Sequence, residues 1–204
     1  MDSFGTVRIG VVIGSTRQGR FGEPAARWIA GHLERQPGVE VRLLDLRDFP
    51  LPSFDETISP RMLGDQAYSH DQVVRWTREV ETLDGFVLVG PEYNHGYSAV
   101  LKNALDYVYN GWVRKPAAFV GYGAMGGARA IEQLRQVVVE LQMAPVSTAV
   151  HLPKAPLWAH FTGGDVPALL AESDDDAVTM IADLLWWTRA LKVARESESL
   201  ALAS

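Results

Sequence analysis

Cysteine is absent from this sequence of 204 residues. Without a thiol, the chain can form no disulfide, no Fe–S cluster and no cysteine-ligated zinc site, and it has no thiolate nucleophile. Positive charge is also scarce, because 19 Lys and Arg residues are outnumbered by 25 Asp and Glu residues, which gives a net charge of −6. Nucleic-acid-binding proteins usually have a basic excess, so this balance disfavours that class and predicts no nucleic-acid partner.

Long apolar runs are missing as well. No stretch reaches the roughly 18 apolar residues that a membrane-spanning helix needs. Residues 1–14 lack the basic segment and the small-residue cleavage site of a secretion signal. We therefore expect a cytoplasmic protein without a membrane partner. The length favours one domain over residues 1–204.

Short apolar segments alternate with amphipathic segments along the chain. Apolar runs typical of buried strands cover residues 7–14, 39–46, 85–89, 116–121 and 146–152. Helical spacing of apolar residues begins at Pro24 and recurs over residues 71–83, 98–109, 128–141 and 174–195. This pattern predicts an α/β fold, namely a flavodoxin-like doubly wound five-stranded parallel sheet in the order 2-1-3-4-5 with helices on both faces. Residues 49–68 and 153–173 are expected to be long irregular connections near a site or an interface.

The loop after the first strand has the composition of a phosphate site. Hydroxyl groups at Ser15 and Thr16 and guanidinium groups at Arg17 and Arg20 stand between glycines, just before a predicted helix. Two cations and the positive end of a helix match the charge of a phosphate monoester. The alternative is an ordinary strand–helix turn with solvated arginines. A P-loop is excluded, because Arg20 and Phe21 occupy the positions where that motif needs Lys and Ser or Thr.

The loop after the third strand suits a flat heteroaromatic ring. It holds Tyr93, Asn94, His95 and Tyr97 close together, and these residues supply aromatic surface and an amide that both donates and accepts. The alternative is a surface loop whose tyrosines pack locally. In an open α/β sheet, ligands bind at the carboxyl ends of the strands, so this loop and the first one are expected at the same edge.

The loop after the fourth strand is rich in glycine. Gly126 and Gly127 stand directly before a predicted helix, where backbone N–H groups can approach the edge of a ligand. Many strand–helix turns contain such a pair of glycines, so this loop indicates a ligand site only in combination with the other two loops.

Together these motifs resemble the NADPH-dependent FMN reductase family, which comprises flavodoxin-like quinone, chromate and azo reductases. The resemblance rests on GSTR at residues 14–17, PEYN at residues 91–94 followed by LKNALD at residues 101–106, and GGAR at residues 126–129. It covers roughly residues 7–150, and PEYN with LKNALD is its most specific part.

The resemblance implies an FMN site built from all three loops. Residues implied to hold the FMN phosphate are Ser15, Arg17, Gly19, Arg20 and Phe21; residues implied to surround the isoalloxazine ring are Pro91, Glu92, Tyr93, Asn94, Gly123, Ala124, Gly126 and Gly127. His95 and Tyr97 are expected to contact the substrate and to gate access to the ring. No catalytic residue and no metal site are assigned. In the family the phosphate loop often reads GSxRxxSxN, and here Arg20 replaces the Ser and Gly22 replaces the Asn. This departure is expected to alter the affinity for FMN.

The implied activity is an oxidoreductase reaction with NAD(P)H as co-substrate. Hydride would pass from NAD(P)H through bound FMN to a small-molecule acceptor (a quinone, free flavin, an azo compound or a chromate-like ion) by a ping-pong mechanism. If His95 protonates a quinone, its replacement will slow reoxidation by quinone and leave reduction by NADPH unchanged. The resemblance also implies a homodimer or homotetramer with the LKNALD helix near the interface. Two alternatives stay open, namely a flavodoxin-like electron carrier and a non-catalytic nucleotide-binding module.

Overall fold

The computed structural model describes residues 5–63 and 68–202. Six strands occur in these residues: β1 Val7–Ile13, β2 Val39–Asp45, β3 Gly85–Pro91, β4 Pro116–Tyr122, β5 Ala144–Pro145 and β6 Val150–Leu152. Seven helices accompany them: α1 Gly22–Glu34, α2 Asp71–Glu81, α3 Ala99–Asp106, α4 Ala128–Glu140, α5 Lys154–Thr162, α6 Val166–Ala171 and α7 Asp174–Leu202. No helix of the described ranges is both long enough and apolar enough to cross a membrane.

The sheet is parallel throughout and has the predicted order. Its path is β2-β1-β3-β4-β5, and β6 also pairs with β4. The two short strands follow each other along one edge, because Pro116 at the start of β4 pairs with Ala144 and Tyr122 at its end pairs with Leu152. The flavodoxin-like fold and the strand order 2-1-3-4-5 are therefore confirmed.

The predicted fifth strand over residues 146–152 is wrong in its bounds. The chain leaves the sheet between β5 and β6, where the Arg135 guanidinium donates to the carbonyl oxygens of Val146 and Ser147 at 2.5 and 2.8 Å. The Thr148 hydroxyl donates to Asp183 at 2.7 Å. These side-chain partners replace the hydrogen bonds that a continuous strand would make, which is why one strand becomes two.

Both faces of the sheet are covered by helices. α1 and α7 pack on one face against residues such as Ile9 and Val87, and α2, α3 and α4 pack on the other against residues such as Phe86 and Leu88. Every residue of β3 and β4 is buried. Burial on both faces explains why these strands are continuously apolar and do not alternate.

The expectation that residues 153–173 are irregular is wrong, because this segment forms α5 and α6. Pro156 and Pro167 lie in the first turns of these helices, where a missing N–H costs no intrahelical hydrogen bond. Gly163 ends α5 in the left-handed conformation, with φ of 77°. The other long connection, residues 49–68, is irregular as expected apart from a 3₁₀ turn at Pro60–Met62, and its residues 64–67 lie outside the described part.

Candidate functional site

The loops after β1, β3 and β4 surround one cavity of about 270 Å³ at the carboxyl edge of the sheet. Its lining comprises Arg17, Gln18, Gly19, Arg20, Phe21, Pro91, Glu92, Tyr93, Tyr122, Gly123, Ala124, Leu157 and Phe161. Most of the positions expected to bind FMN are in this set. The parallel sheet explains the convergence, because β1, β3 and β4 are adjacent and all end at this edge.

Ser15 is buried and does not line the cavity. Its hydroxyl oxygen is 3.1 Å from the hydroxyl oxygen of Tyr93, so the first two loops are joined by a hydrogen bond. The Arg17 guanidinium lies 5.6 Å from the centre of the Tyr93 ring. This contact is a second link between the loop after β1, which is expected to bind phosphate, and the loop after β3, which is expected to bind the flavin ring.

Asn94 and His95 form the tip of a tight hairpin. Their φ angles are 49° and 72°, and Tyr93 and Gly96 exchange two backbone hydrogen bonds of 2.8 and 3.0 Å across them. Two left-handed residues in a two-residue loop are the conformation of a type I′ turn. Neither residue lines the cavity, and Tyr97 is half-buried beside the core under α3 and α4.

Arg17 and the backbone around it offer free donors. Arg17 forms no ion pair with any residue in the described ranges, and the backbone N–H groups of residues 16–19 donate no hydrogen bond within them. The loop leads directly into α1, whose N-terminal end carries a partial positive charge. A cation, free amides and a helix end together form a site that fits a phosphate group.

Arg20 has a structural role that the sequence did not reveal. Its side chain is only 3% exposed, and it donates to the Ser15 carbonyl oxygen at 2.8 Å and forms an ion pair with Asp45. Its Nε is buried and has no hydrogen-bond partner in the described structure. Buried donors are normally paired, and this unpaired atom is closed off from the cavity that the residue lines.

Tyr122 explains the glycine at position 22. A Cβ atom on Gly22 would lie 2.7 Å from the Tyr122 hydroxyl oxygen, so an Asn side chain does not fit beside this tyrosine. Burial raises the pKa of Tyr122, and the hydroxyl therefore stays protonated at neutral pH. Gly22, where the family pattern has Asn, therefore leaves room for the side chain of Tyr122 at the end of β4.

Glu92, Arg129 and His95 form a polar network beside the cavity. The Arg129 Nε and backbone N–H donate to the Glu92 carboxylate at 2.7 and 3.1 Å. Burial alone would raise the pKa of Glu92, but the hydrogen bonds and the charge of Arg129 outweigh it and hold that pKa below its ordinary value. Glu92 is therefore an anion that orients Arg129 and is not a proton donor near neutral pH.

The same network includes one ring nitrogen of His95. Arg129 Nη1 lies 3.0 Å from His95 Nε2, and a guanidinium can only donate. His95 Nε2 therefore accepts this hydrogen bond, and the ring hydrogen is on Nδ1. The hydrogen that His95 could offer to another molecule is the one on Nδ1.

The glycine-rich loop after β4 presents backbone N–H groups. Gly123, Gly126 and Gly127 all have positive φ angles. The N–H groups of Ala124, Met125 and Gly127 donate no hydrogen bond to any described residue. Gly126 and Gly127 do not line the cavity themselves, although they shape the turn that presents Gly123 and Ala124 to it. Free amides at this position can stabilise negative charge on a ligand.

Sequence reasoning missed the contribution of α5. Leu157 and Phe161 line the cavity, and the only signal was the expectation that the long segment 153–173 lies near a site. The helix has no marked apolar stripe in its sequence, so helical periodicity does not reveal which of its residues face the cavity.

Comparison with known proteins identifies the family. The family model described as NADPH-dependent FMN reductase matches residues 7–156. An NAD(P)H-dependent FMN reductase of Schizosaccharomyces pombe is 36% identical over 73% of this chain and 75% of its own length. An NADPH:quinone oxidoreductase of Arabidopsis thaliana is 32% identical over 67% of this chain and 69% of its own length.

A solved structure supports the fold. The flavoenzyme NAD(P)H:(acceptor) oxidoreductase FerB of Paracoccus denitrificans superposes with a TM-score of 0.66 at 23% identity, over 89% of this chain and 97% of that one. The predicted enzyme class, an NAD(P)H-dependent FMN reductase with FMN as its cofactor, is confirmed by the family match. This chain belongs to the NADPH-dependent FMN reductase family.

Proposed function

We propose that this chain is an NAD(P)H:quinone oxidoreductase that holds FMN in the cavity between the loops after β1, β3 and β4. The observation that carries this proposal is that two loops with free donors line one cavity. Arg17 and the free amides of residues 16–19 belong to the loop after β1, and the free amides of Ala124, Met125 and Gly127 belong to the loop after β4; both loops contribute lining residues. The first set fits a phosphate, and the second fits a ring that gains negative charge on reduction.

The protein would bind and orient, and FMN, when bound, would supply the hydride chemistry. Ser15, Arg17 and the backbone of residues 16–21 would hold the phosphate group. Pro91 and Tyr93 would lie along the ring, and the Glu92–Arg129 pair would fix the position of the loop that carries them. The resemblance of the chain to a quinone oxidoreductase supports quinones as acceptors.

The size of the cavity supports a ping-pong order. A volume of about 270 Å³ is slightly below the range of roughly 300–1,000 Å³ that is usual for ligand pockets, so NAD(P)H and the acceptor would have to use the remaining opening in turn. Steady-state rates measured at several NADPH and quinone concentrations should give parallel double-reciprocal lines. Lines that intersect to the left of the axis would mean that both substrates bind together, which would contradict this order.

His95 is expected to act in the quinone half-reaction. We expect the variant His95→Asn to reoxidise its flavin with quinone about tenfold more slowly, because an amide, unlike an imidazole, does not transfer a proton to the acceptor. Asn is the better test residue because it tolerates the left-handed conformation of position 95, whereas Ala is strained there. Stopped-flow traces of flavin reduction by NADPH should be unchanged and serve as the internal control. Unchanged reoxidation would remove His95 from the reaction.

We also propose a homo-oligomer that assembles through the face formed by α3 and residues 52–63. Asn103 on α3 donates to the Pro52 carbonyl oxygen at 2.7 Å and holds this segment against the helix. Phe54, Met62 and Val100 are exposed on these elements. Apolar side chains of this kind commonly lie in interfaces. Light scattering on the purified chain should give the mass of a dimer or tetramer, and a monomer at micromolar concentration would contradict the assembly.

A further inference from the structure

Helix α5 is attached to the loop that is proposed to bind phosphate. His160 Nε2 lies 3.0 Å from the Gly19 carbonyl oxygen, and because a carbonyl only accepts, His160 donates this hydrogen bond. The His160 ring also packs edge-on against Phe21, with 5.8 Å between ring centroids. Gly19 is at the tip of the loop with a φ of 60°, and no atom would lie within 4 Å of a Cβ at that position. His160 therefore anchors the loop at Gly19, while the Arg47 guanidinium donates to the carbonyl oxygens of Thr16 and Arg17.

Two other side chains of α5 face the cavity. Leu157 and Phe161 line it together with Arg17–Phe21 and Pro91–Tyr93. Phe161 is 58% exposed although it lies at a cavity wall. A large aromatic side chain in this position gains free energy when a ligand covers it, because apolar surface is removed from water.

Trp158 on the same helix provides the contrast. It is 63% exposed, it does not line the cavity, and its ring contacts the Lys154 ammonium group at 5.7 Å. Exposure of an aromatic residue on α5 is thus not by itself a sign of ligand contact. The two residues differ in what they face, and this makes them a matched pair for a test.

Leu157, His160 and Phe161 lie beyond the part of the chain that the family model matches. The family model ends at residue 156, within the first turn of α5. None of the three motifs that carry the family resemblance includes these residues. The contribution of α5 to the cavity is therefore not part of the three shared motifs.

We propose that α5 is an additional wall of the FMN site. Phe161 and Leu157 contact the bound flavin, and His160 is a positioning residue that holds Gly19 so that the neighbouring loop amides point towards the phosphate. This inference rests on the proposed function, because it requires FMN to occupy this cavity. It also suggests how the chain can retain FMN although the Ser and Asn of the usual phosphate loop are replaced by Arg20 and Gly22.

Binding of FMN and of riboflavin, which lacks the phosphate, separates the two roles. The dissociation constants are measured from the quenching of flavin fluorescence on the wild-type protein and on Phe161→Ala, His160→Ala, His160→Gln and Trp158→Ala. We expect Phe161→Ala to raise the dissociation constant of both ligands about tenfold, since it removes apolar contact from the flavin. We expect His160→Ala to weaken FMN about fivefold and leave riboflavin unchanged, since it acts through the phosphate loop. His160→Gln should restore part of the FMN affinity, because its amide can donate to Gly19.

The control variant Trp158→Ala should bind both ligands like the wild-type protein. If Phe161→Ala and His160→Ala bind FMN as tightly as Trp158→Ala and the wild-type protein do, the proposed role of α5 is wrong, and the proposed function is unaffected. A wild-type protein that binds no FMN would overturn the proposed function and the role of α5 together. Far-ultraviolet circular dichroism and the melting temperature of each apoprotein establish that the variants are folded, so that a loss of affinity is assigned to the site.

Discussion

Replacement of Gly127 by alanine should abolish flavin binding and lower the free energy of unfolding by roughly 3 kcal/mol. Gly127 has a φ of 74°, and a Cβ atom there would lie 2.6 Å from the Gly121 Cα and 2.7 Å from the Tyr122 backbone nitrogen. Both atoms belong to the backbone of β4, an interior strand of the sheet, and cannot move aside. The loop that carries Gly123 and Ala124 must therefore shift, and urea unfolding together with FMN titration measures both effects.

Gly38→Ala is the matched control for this prediction. Gly38 has a similar φ of 70°, but nothing lies within 4 Å of the position of its Cβ atom. The only cost should be the strain of the left-handed conformation, which should lower the free energy of unfolding by about 1 kcal/mol, and FMN binding should be unchanged. If Gly127→Ala were as stable as Gly38→Ala and bound FMN equally well, the close approach of this loop to β4 would be wrong.

Replacement of Asp45 by alanine should lower the free energy of unfolding by roughly 3 kcal/mol and weaken FMN binding. The Asp45 carboxylate is paired with the guanidinium of Arg20, whose side chain is almost fully buried. Removal of the carboxylate leaves a buried cation with incomplete compensation, and its contact with the Ser15 carbonyl should loosen. Chemical denaturation gives the stability, and fluorescence titration gives the FMN affinity.

Glu40→Ala is the control that tests whether the effect of Asp45→Ala depends on the burial of the ion pair. Glu40 is also on β2, but its pair with Arg8 is 3.8 Å long and both side chains are exposed. Such pairs contribute about 0–1 kcal/mol, so this variant should resemble the wild-type protein in stability and in FMN binding. Equal stability of Asp45→Ala and Glu40→Ala would show that the Arg20 ion pair is not needed to hold the loop.

The regular part of the fold could be predicted because each core strand is buried on both faces. β1, β3 and β4 are short, continuous apolar runs, and only a sheet covered by helices on both sides makes such runs favourable. The division of the last strand could not be predicted, since it depends on Arg135 of α4 reaching the carbonyl groups of residues 146 and 147. Nothing in the local sequence reports that contact.

The candidate site was predictable where the strand order determines it. β1, β3 and β4 are neighbours, so their loops meet whatever the detailed side-chain packing is. The sequence predicted Arg20 as a cation that binds the phosphate. It did not predict the ion pair between Arg20 and Asp45, because Asp45 is 25 residues away and has the sequence context of a turn. Asp45 does serve that turn, since its carboxylate accepts from the Arg47 backbone N–H at 2.9 Å. The contribution of α5 to the cavity could not be predicted either, because it results from the tertiary packing of a helix that has no apolar stripe in its sequence.

The central claim is that this chain holds FMN in the cavity at the sheet edge and reduces it directly with NAD(P)H. The measurement that tests it is an anaerobic visible spectrum of the purified protein, first supplied with FMN and desalted, before and after addition of NADPH or NADH. We predict that flavin absorbance is retained, bleaches within seconds and returns when quinone is added. Retained flavin that neither nicotinamide cofactor bleaches would indicate an electron carrier, and protein without flavin would indicate a module that does not bind FMN. Either result would contradict the proposed function.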